Sequence, residues 1–314
     1  MSRPGRRLAW PWHGVSATLV PAAALGASVF AATQAGLPPQ PRAVAARRIV
    51  SLVPAVTEML FDIGAGSQVV GVSSFDDFPP EAAARARVGA LLDPDLERIL
   101  SLRPDLVVTY ATQDELRGQL ARAGIATFDY RHGGLADIPA TIRTLGARTG
   151  RPAAAERLAG TLEGRLAAVQ AAVRGRRRPA TLLVFGRDPF TLRNIYASGA
   201  VGFLHDVLVA AGGDNVFADV GREAIQATTE TILARAPEVI VELRYGRPMS
   251  EADLARERDV WNALPSLPAV RNRRVSLLVG DEFVVPGPRI AGAAERLARA
   301  IHPAAFQEAP RGER

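Results

Sequence analysis

Short apolar runs alternate with amphipathic segments along most of the chain, and Pro or Gly residues separate them. The apolar runs predict strands, and the segments with apolar residues every three or four positions predict helices. Strands and helices that alternate with short connections are typical of a parallel α/β sheet. The predicted strands are 48–52, 69–72, 106–109, 125–128, 181–185, 239–243 and 275–279, and the predicted helices are 57–64, 96–102, 116–123, 139–150, 202–211, 230–236 and 288–301.

One pattern occurs twice at a constant spacing. Residues 97–108 and 230–241 both begin with a glutamate and continue with an apolar pair, a proline, an acid and an apolar triplet, all in register. A repeated helix–proline–strand unit predicts two similar lobes with a cleft between them. It also places Glu97 and Glu230 at corresponding points of the two lobes.

The segment 152–174 differs from its surroundings because it is rich in Ala, Leu, Glu and Arg and opens with a proline, which suits the first turn of a helix. It predicts a helix about 34 Å long, enough to span a small protein. The predicted fold is therefore α/β, with two Rossmann-like lobes of parallel sheet joined by one long rigid helix. The predicted organisation is a signal peptide and Pro-rich leader at 1–46, an N-terminal lobe at 47–150, a linking helix at 151–178 and a C-terminal lobe at 179–314.

The first residues predict export. Arg3, Arg6 and Arg7 precede an apolar stretch of small residues at 15–32, and a Pro-rich segment follows it, which is the layout of a secretory signal peptide. An uncleaved membrane anchor is the alternative, and Arg6–Arg7 allows twin-arginine export. We expect a periplasmic protein.

Composition excludes several functions. The chain contains no cysteine, which excludes iron–sulfur ligation, thiolate zinc sites and a lipoprotein anchor. It has four histidines and neither an HExxH nor a GxSxG motif, so we expect no enzyme and no resident cofactor. The net charge of +6 arises largely in the leader and in the run Arg176–Arg178, without interleaved aromatics, so we expect no nucleic-acid partner.

Aromatic and arginine side chains follow the predicted strands. Ligands of open parallel sheets bind beyond the carboxyl ends of the strands, and rings together with guanidinium groups suit a large, partly flat, polar or anionic ligand. The residues in these positions are Phe75, Tyr110, Tyr130, Arg131, His132, Arg187, Arg244, Tyr245, Asp281 and Phe283.

The chain between about 47 and 305 resembles the class III, helical-backbone substrate-binding proteins of ABC importers. The likeness is carried by RIVSLVPAVTEMLFDIG (47–64), VVGVSSFDDFPPEA (69–82), VGALLDPDLERILSLRPDLVV (88–108), GGDNVFADV (212–220), TETILARAPEVIVEL (229–243) and Pro288–Ile290. The resemblance implies capture of a cobalt or iron chelate (cobalamin or another corrinoid, haem or a ferric siderophore), and it is greatest to the cobalamin-binding members. It further implies delivery to a permease dimer with its ATPase subunits, by a monomeric binding protein.

The resemblance also implies roles for individual residues. It places permease-docking glutamates at Glu97 and Glu230, although both acids could simply suit the first turn of a helix. Ligand positions fall on Phe75, Tyr110 and Asp281, and on Leu91 and Ala224, where the cobalamin binder has tryptophan. A haem ligand would use Tyr110, Tyr130 or His132 as axial ligands, and a siderophore would use Arg131, Arg187, Arg244 and Tyr245. A two-lobed metalloenzyme and a sensor for a membrane receptor remain as alternatives.

Overall fold

The computed structural model describes residues 45–246 and 249–306, so the predicted leader lies almost entirely outside the described residues. The first half of the described chain folds into a five-stranded, all-parallel sheet in the order β3-β2-β1-β4-β5. We call this sheet and its helices the N-terminal lobe. Its strands are β1 Ile49–Ser51, β2 Val69–Val72, β3 Ala86–Arg87, β4 Leu106–Tyr110 and β5 Ala126–Tyr130, and its helices are α1 Pro54–Asp62, α2 Leu96–Ser101, α3 Asp114–Arg122 and α4 Asp137–Thr149.

A single helix, α5 (Pro152–Val173), leads from this lobe to the rest of the chain. Its 22 residues span about 33 Å. Apolar side chains recur every three or four residues along one of its faces, which packs against α4 on one side and against two helices of the second lobe on the other. The buried side chains of that face are Ala155, Ala159, Leu162, Leu166, Val169 and Val173.

The rest of the described chain forms the C-terminal lobe, a mixed sheet in the order β11-β10-β6-β7-β9 with β8 paired to β6. Its strands are β6 Ala180–Gly186, β7 Ile195–Ser198, β8 Asp214–Asn215, β9 Ala224–Ala227, β10 Val239–Arg244 and β11 Val275–Val279. Its helices are α6 Phe203–Ala210, α7 Thr229–Arg235, α8 Glu251–Asp259, α9 Pro268–Arg271 and α10 Ile290–Ile301. Two of them, α6 and α10, are the helices that contact α5.

The repeated sequence folds into the same unit in both lobes. Helices α2 and α7 begin after Asp95 and Thr228, whose side chains accept hydrogen bonds from the third backbone N–H beyond them. After each helix, one residue adopts a left-handed conformation with a φ of 45° (Arg103 and Ala236), and a proline and a central strand follow. The predicted internal repeat is therefore confirmed down to single backbone torsions.

The predicted fold class is confirmed, but the C-terminal sheet is not wholly parallel. Strand β7 runs antiparallel to β6 and β9 runs antiparallel to β7. The reason is that only residues 187–194 connect β6 to β7, and this connection is too short for the crossover that a parallel pair requires. Phe190 and Asn194, both with positive φ, turn the chain back within it. Helix α1 also begins at Pro54, earlier than predicted, because proline suits its first turn.

One apolar core joins the two lobes. It extends from Val56 in α1 through Leu162 in α5 to Leu297 in α10 without interruption. Smaller clusters fill the outer side of each sheet. Among the helices that the structure describes, none is both long and apolar enough to cross a bilayer.

The exposed face of α5 carries two glycines, Gly160 and Gly164, and a Cβ added at either would meet no atom within 4 Å. Glycine costs a helix interior about 0.5–1 kcal/mol relative to alanine. We therefore expect Gly160→Ala and Gly164→Ala each to raise the free energy of unfolding by about that amount in urea denaturation.

The control is Gly146→Ala in α4, where the new Cβ would overlap the methyl group of Ala155 in α5. This variant should lose about 1–3 kcal/mol through overpacking. Equal effects at all three positions would contradict the described packing of α4 against α5.

Candidate functional site

A cavity of about 270 Å³ lies where the carboxyl ends of the strands in the two lobes meet. His132, in the loop after β5, is the one lining residue that the described part of the N-terminal lobe contributes. The other lining residues come from β6, from the start of α6, from the start of β9 and from the loops after β10 and β11. They are Phe185, Val201, Gly202, Phe203, Leu204, Glu223, Ala224, Tyr245 and Val284.

The start of α6 shapes the cavity. Gly202 precedes the helix with a φ of +88°, a conformation that side-chain-bearing residues rarely adopt. A Cβ on Gly202 would also lie 3.1 Å from Cγ of Glu223. Glycine at this point therefore allows the first turn of α6, with Phe203 and Leu204, to lie close beside the start of β9.

Four rings form a continuous chain across the two lobes at the edge of this cavity. Tyr110 contacts Tyr130 with ring centroids 6.1 Å apart, Tyr130 contacts His132 at 6.2 Å, and His132 contacts Phe203 at 5.1 Å. All three pairs meet edge to face, the geometry that aromatic quadrupoles favour. The ends of β4 and β5 are thereby connected to α6.

Burial determines the protonation states of Tyr130 and His132, two of these four rings. Desolvation raises the pKa of Tyr130 well above its ordinary value, so its phenol stays protonated. Desolvation lowers the pKa of His132 below its ordinary value of 6.5, although the negative charge of Glu223 opposes the shift. His132 therefore presents a neutral imidazole to the cavity at neutral pH.

The cavity lining is mostly apolar and aromatic. Tyr245, predicted from the sequence, lines it with 53% of its surface exposed. Within the described part of the lining, Glu223 is the only acidic residue and no arginine is present. The site can therefore enclose flat apolar surface, but it offers little positive charge.

Several predicted ligand contacts lie away from this cavity. Phe75 is 72% exposed in the loop after β2, and Arg131 is exposed beside His132. Leu91 borders a separate depression on the N-terminal lobe, and its carbonyl accepts a hydrogen bond of 2.9 Å from the Gln113 side chain. Asp281 is exposed and accepts a hydrogen bond from the backbone N–H of Gly246.

The structure does not support Arg187 and Phe283 as ligand contacts. The Arg187 side chain has no exposed surface, and its guanidinium forms ion pairs with Glu242 at 3.1 Å and Glu257 at 2.7 Å. Phe283 is only 2% exposed and belongs to the core. Neither side chain can reach a ligand in this conformation. The prediction included them because the pattern of residues after strands does not distinguish a side chain that points inward from one that faces the cleft.

Arg244 belongs to the same buried network as Arg187. Its Nη2 lies 2.6 Å from Glu242 and 2.7 Å from Glu257, and its side chain is 15% exposed. Trp261 donates an indole hydrogen bond of 3.0 Å to Glu242. Two arginines and two glutamates thus balance one another inside the C-terminal lobe, and most of the charge of Arg244 is directed away from the cavity.

The two predicted docking residues occupy equivalent positions. Glu97 in α2 and Glu230 in α7 are both exposed in the first turn of their helices. Hydrogen bonds from its own backbone N–H and from the Thr228 hydroxyl lower the pKa of Glu230. Neither carboxylate forms an ion pair with any residue that the structure describes.

Most of the cavity lining escaped the sequence prediction. The missed residues are Phe185, Val201, Gly202, Phe203, Leu204, Glu223 and Val284, whereas Ala224 is a position that the resemblance had indicated. The prediction considered the residues that follow strands and left out the first turns of helices. The glycine directly before the aromatic residue Phe203 was the signal that could have indicated this position.

Two α/β lobes that share a core through one long helix, with an aromatic cavity where their strands end, define a solute-binding protein. The family model described as periplasmic binding protein matches residues 49–281, and the chain belongs to that family. It is therefore a substrate-binding protein of the kind that serves ABC importers, and not an enzyme.

Three relatives are similar to this chain over most of its length. The vitamin B12-binding protein of Salmonella typhimurium is 34% identical over 259 residues, which cover 82% of this chain and 91% of the relative. The crystal structure of the periplasmic vitamin B12 binding protein of Vibrio cholerae is similar with a TM-score of 0.71 at 27% identity, over 83% of this chain and 99% of the relative. A periplasmic heme-binding protein from Roseiflexus sp. RS-1 gives a TM-score of 0.68 at 29% identity, over 83% of this chain and 100% of the relative.

The buried ion pairs of Arg187 can be tested by mutation. Replacing Arg187 by Met should lower the free energy of unfolding by about 3–5 kcal/mol, because it leaves Glu242 and Glu257 buried with less compensation. Arg131→Met, which changes an exposed arginine, should alter stability by no more than about 0.5 kcal/mol. Thermal and urea unfolding measure both. An Arg187→Met protein of unchanged stability would contradict the buried network.

Proposed function

We propose that this chain captures a corrinoid in the cleft between its lobes and delivers it to an ABC permease dimer with its ATPase subunits. The observation that carries the proposal is the chemistry of the cavity, which combines apolar and aromatic walls with a single acid. A corrinoid has a broad, partly flat ring and a rim of neutral amide groups, so it needs apolar enclosure and hydrogen-bonding partners more than positive charge. The vitamin B12-binding relatives support the same choice.

The charge arrangement in the C-terminal lobe points in the same direction. Haem carries two propionates, and many ferric siderophores are anionic, so both are usually held by arginines. Here Arg187 and Arg244 already pair with Glu242 and Glu257, and these carboxylates neutralise them. Their commitment to that network favours a ligand without net negative charge.

A ligand larger than the cavity would extend over its rim. The N-terminal lobe exposes Phe75 and the C-terminal lobe exposes Tyr196 and Tyr245. Exposed aromatic side chains of this kind can stack on a flat ligand. We include Phe75, Tyr110, Tyr245 and Asp281 among the proposed contacts, and we leave out Leu91 because it borders a separate depression.

Haem capture is the second candidate, and His132 is the observation that favours it. Its imidazole is neutral at neutral pH and lines the cavity, as an axial ligand to iron must. Tyr130 suits that role less well, because it is 6% exposed and burial opposes ionisation of its phenol. The similarity to a heme-binding protein also supports this candidate.

Delivery would depend on one acid in each lobe. Glu97 and Glu230 occur at the same point of the repeated unit, and two equivalent charges suit a permease built from two equivalent subunits. We propose that both glutamates dock on basic pockets of the permease. The leader at 1–46 would direct export to the periplasm, where the chain would act as a monomer.

Calorimetry with cyanocobalamin and with haemin tests the ligand. We expect micromolar or tighter binding of cyanocobalamin. Tyr245→Ala should weaken that binding about tenfold, equivalent to about 1.4 kcal/mol, because it removes an exposed aromatic contact. Leu233→Ala, which changes an exposed apolar residue on the outer helix α7, is the control and should bind as the parent does. Haemin binding with a Soret shift that His132→Ala abolishes, without cyanocobalamin binding, would replace the corrinoid by haem.

Charge reversal tests docking. In cells that import cyanocobalamin through this chain and its permease, Glu97→Arg and Glu230→Arg should each lower uptake at least about tenfold, because like charges would then face each other at the interface. Affinity in solution should not change. The matched controls are Glu115→Arg and Glu251→Arg, which reverse exposed acids in the first turns of α3 and α8. Equal losses in controls and test variants would contradict the docking role.

A further inference from the structure

We propose that Arg289 is a positioning residue that fixes the orientation of the two lobes and holds the loop between β2 and β3 against the C-terminal lobe. Arg289 lies directly before α10 in the C-terminal lobe. Its Nε donates to Oε2 of Glu58 at 2.9 Å, and its Nη2 donates to Oε1 at 2.5 Å. Glu58 belongs to α1 of the N-terminal lobe and is only 2% exposed, so this bidentate ion pair connects the lobes below the surface.

The same guanidinium reaches a second part of the N-terminal lobe. Its central carbon lies 4.1 Å from the ring centroid of Phe78, in the loop between β2 and β3. A flat guanidinium over an aromatic face is a favourable cation–π arrangement. Glu282 of the C-terminal lobe lies 3.7 Å from Nη1 and steadies the side chain from its own side. Arg289 therefore contacts a helix and a loop of one lobe from the other lobe.

The backbone beside Arg289 is adapted to this contact. Gly287 lies so close to α1 that a Cβ added to it would come within 3.0 Å of Oε2 of Glu58. Pro286 and Pro288 flank this glycine and limit the freedom of the segment. The chain before α10 is thus shaped to approach Glu58 closely, and a larger residue at 287 would push the carboxylate away from Arg289.

The loop that Arg289 holds carries an exposed aromatic residue. Asp76 accepts a hydrogen bond of 2.7 Å from the Ser73 backbone N–H, and Arg87 donates to the carbonyls of Ser73 and Asp76 at 2.8 Å. These contacts secure the first part of the loop to its own lobe. Phe78, farther along, is secured to the other lobe by Arg289. Phe75, 72% exposed, lies within the first of these attachments, between Ser73 and Asp76, and three residues before Phe78.

Other contacts between the lobes limit what the loss of Arg289 would do. The backbone N–H of Leu135 donates to Asp206 of α6 at 2.8 Å, and His132 packs on Phe203. With these contacts and α5 in place, a chain without the Arg289 guanidinium should remain folded but sample a wider range of lobe orientations. Because Arg289 is not among the residues that line the cavity, any effect on the ligand would be indirect.

The absence of cysteine makes the lobe orientation directly measurable. Spin labels at Arg122→Cys in α3 and Ala252→Cys in α8, both exposed, would report the distance between the lobes by double electron–electron resonance. We expect a narrow distance distribution in the parent and a clearly broader one in Arg289→Gln and in Glu58→Gln. Arg289→Lys should give an intermediate width, because lysine keeps the charge but loses the bidentate geometry.

The control is Arg235→Gln, which breaks a bidentate ion pair with Asp219 at 2.8 and 2.9 Å inside the C-terminal lobe. It should leave the distribution narrow. If Arg289→Gln does not fold, Glu58→Gln and Arg289→Lys decide the question. Narrow distributions in the folded variants of this pair, or an equal broadening in Arg235→Gln, would overturn the proposal.

The effect on affinity rests on the proposed function. Arg289→Gln and Glu58→Gln should each weaken cyanocobalamin binding about fivefold or more, with Arg289→Lys in between, whereas Arg235→Gln should bind as the parent does. Failure of the parent to bind cyanocobalamin would reject the corrinoid and leave the distance measurement intact. Broadened distances with unchanged affinity would show that Arg289 sets lobe orientation without positioning the ligand site, and would overturn that part of the proposal.

Discussion

The relative position of the two sheets depends on the stripe of small and apolar side chains along α5. Within the part of the chain that the structure describes, this helix is the only covalent connection between the lobes. Its buried residues, from Ala155 to Val173, pack on α4 at one end and on α6 and α10 at the other. Since the resulting core is continuous, a change in the angle between the lobes would have to shear packed side chains. A structure of this kind resists hinge bending. The lobes can then shift relative to each other only through small adjustments at the polar contacts between them.

Arginine illustrates how the same residue type serves different purposes in this chain. Arg187 and Arg244 neutralise two buried glutamates inside the C-terminal lobe, and Arg289 neutralises a third between the lobes. Buried carboxylates of this kind would be costly without these partners. The price is that guanidinium groups close to the site are not available to a ligand, which leaves its recognition to rings and apolar surface.

The sequence could predict the elements whose pattern reflects burial. The strands β1, β4 and β10 each begin with an apolar run because both faces of each sheet are covered, and the repeated unit made α2 and α7 recognisable as equivalent. The short strands β7 and β9 lack that pattern, since Tyr196, Ala224 and Gln226 are exposed. The antiparallel pairing of β7 with β6 follows from the short connection between these two strands, and the local pattern of apolar residues does not predict it. Among the predicted site residues, Tyr245 and His132 lie at the cavity, whereas Arg187 follows a strand just as regularly and turns inward. Side-chain direction after a strand is decided by tertiary partners such as Glu242 and Glu257, which are distant in sequence.

The two lobes contribute unequal numbers of residues to the cavity lining, and for this reason the orientation of the lobes affects the site. Among the described residues, the C-terminal lobe provides every lining residue except His132, so almost the whole cavity wall is formed within one lobe. The N-terminal lobe contributes a ring at the end of the chain Tyr110–Tyr130–His132, and it exposes Phe75 on a loop. A displacement of this lobe would leave the cavity walls of the C-terminal lobe intact while it separated His132 from Phe203. The contacts that hold the lobes together therefore determine whether a ligand is enclosed on two sides or lies against one, and the ion pair of Arg289 with the buried Glu58 is one of these contacts.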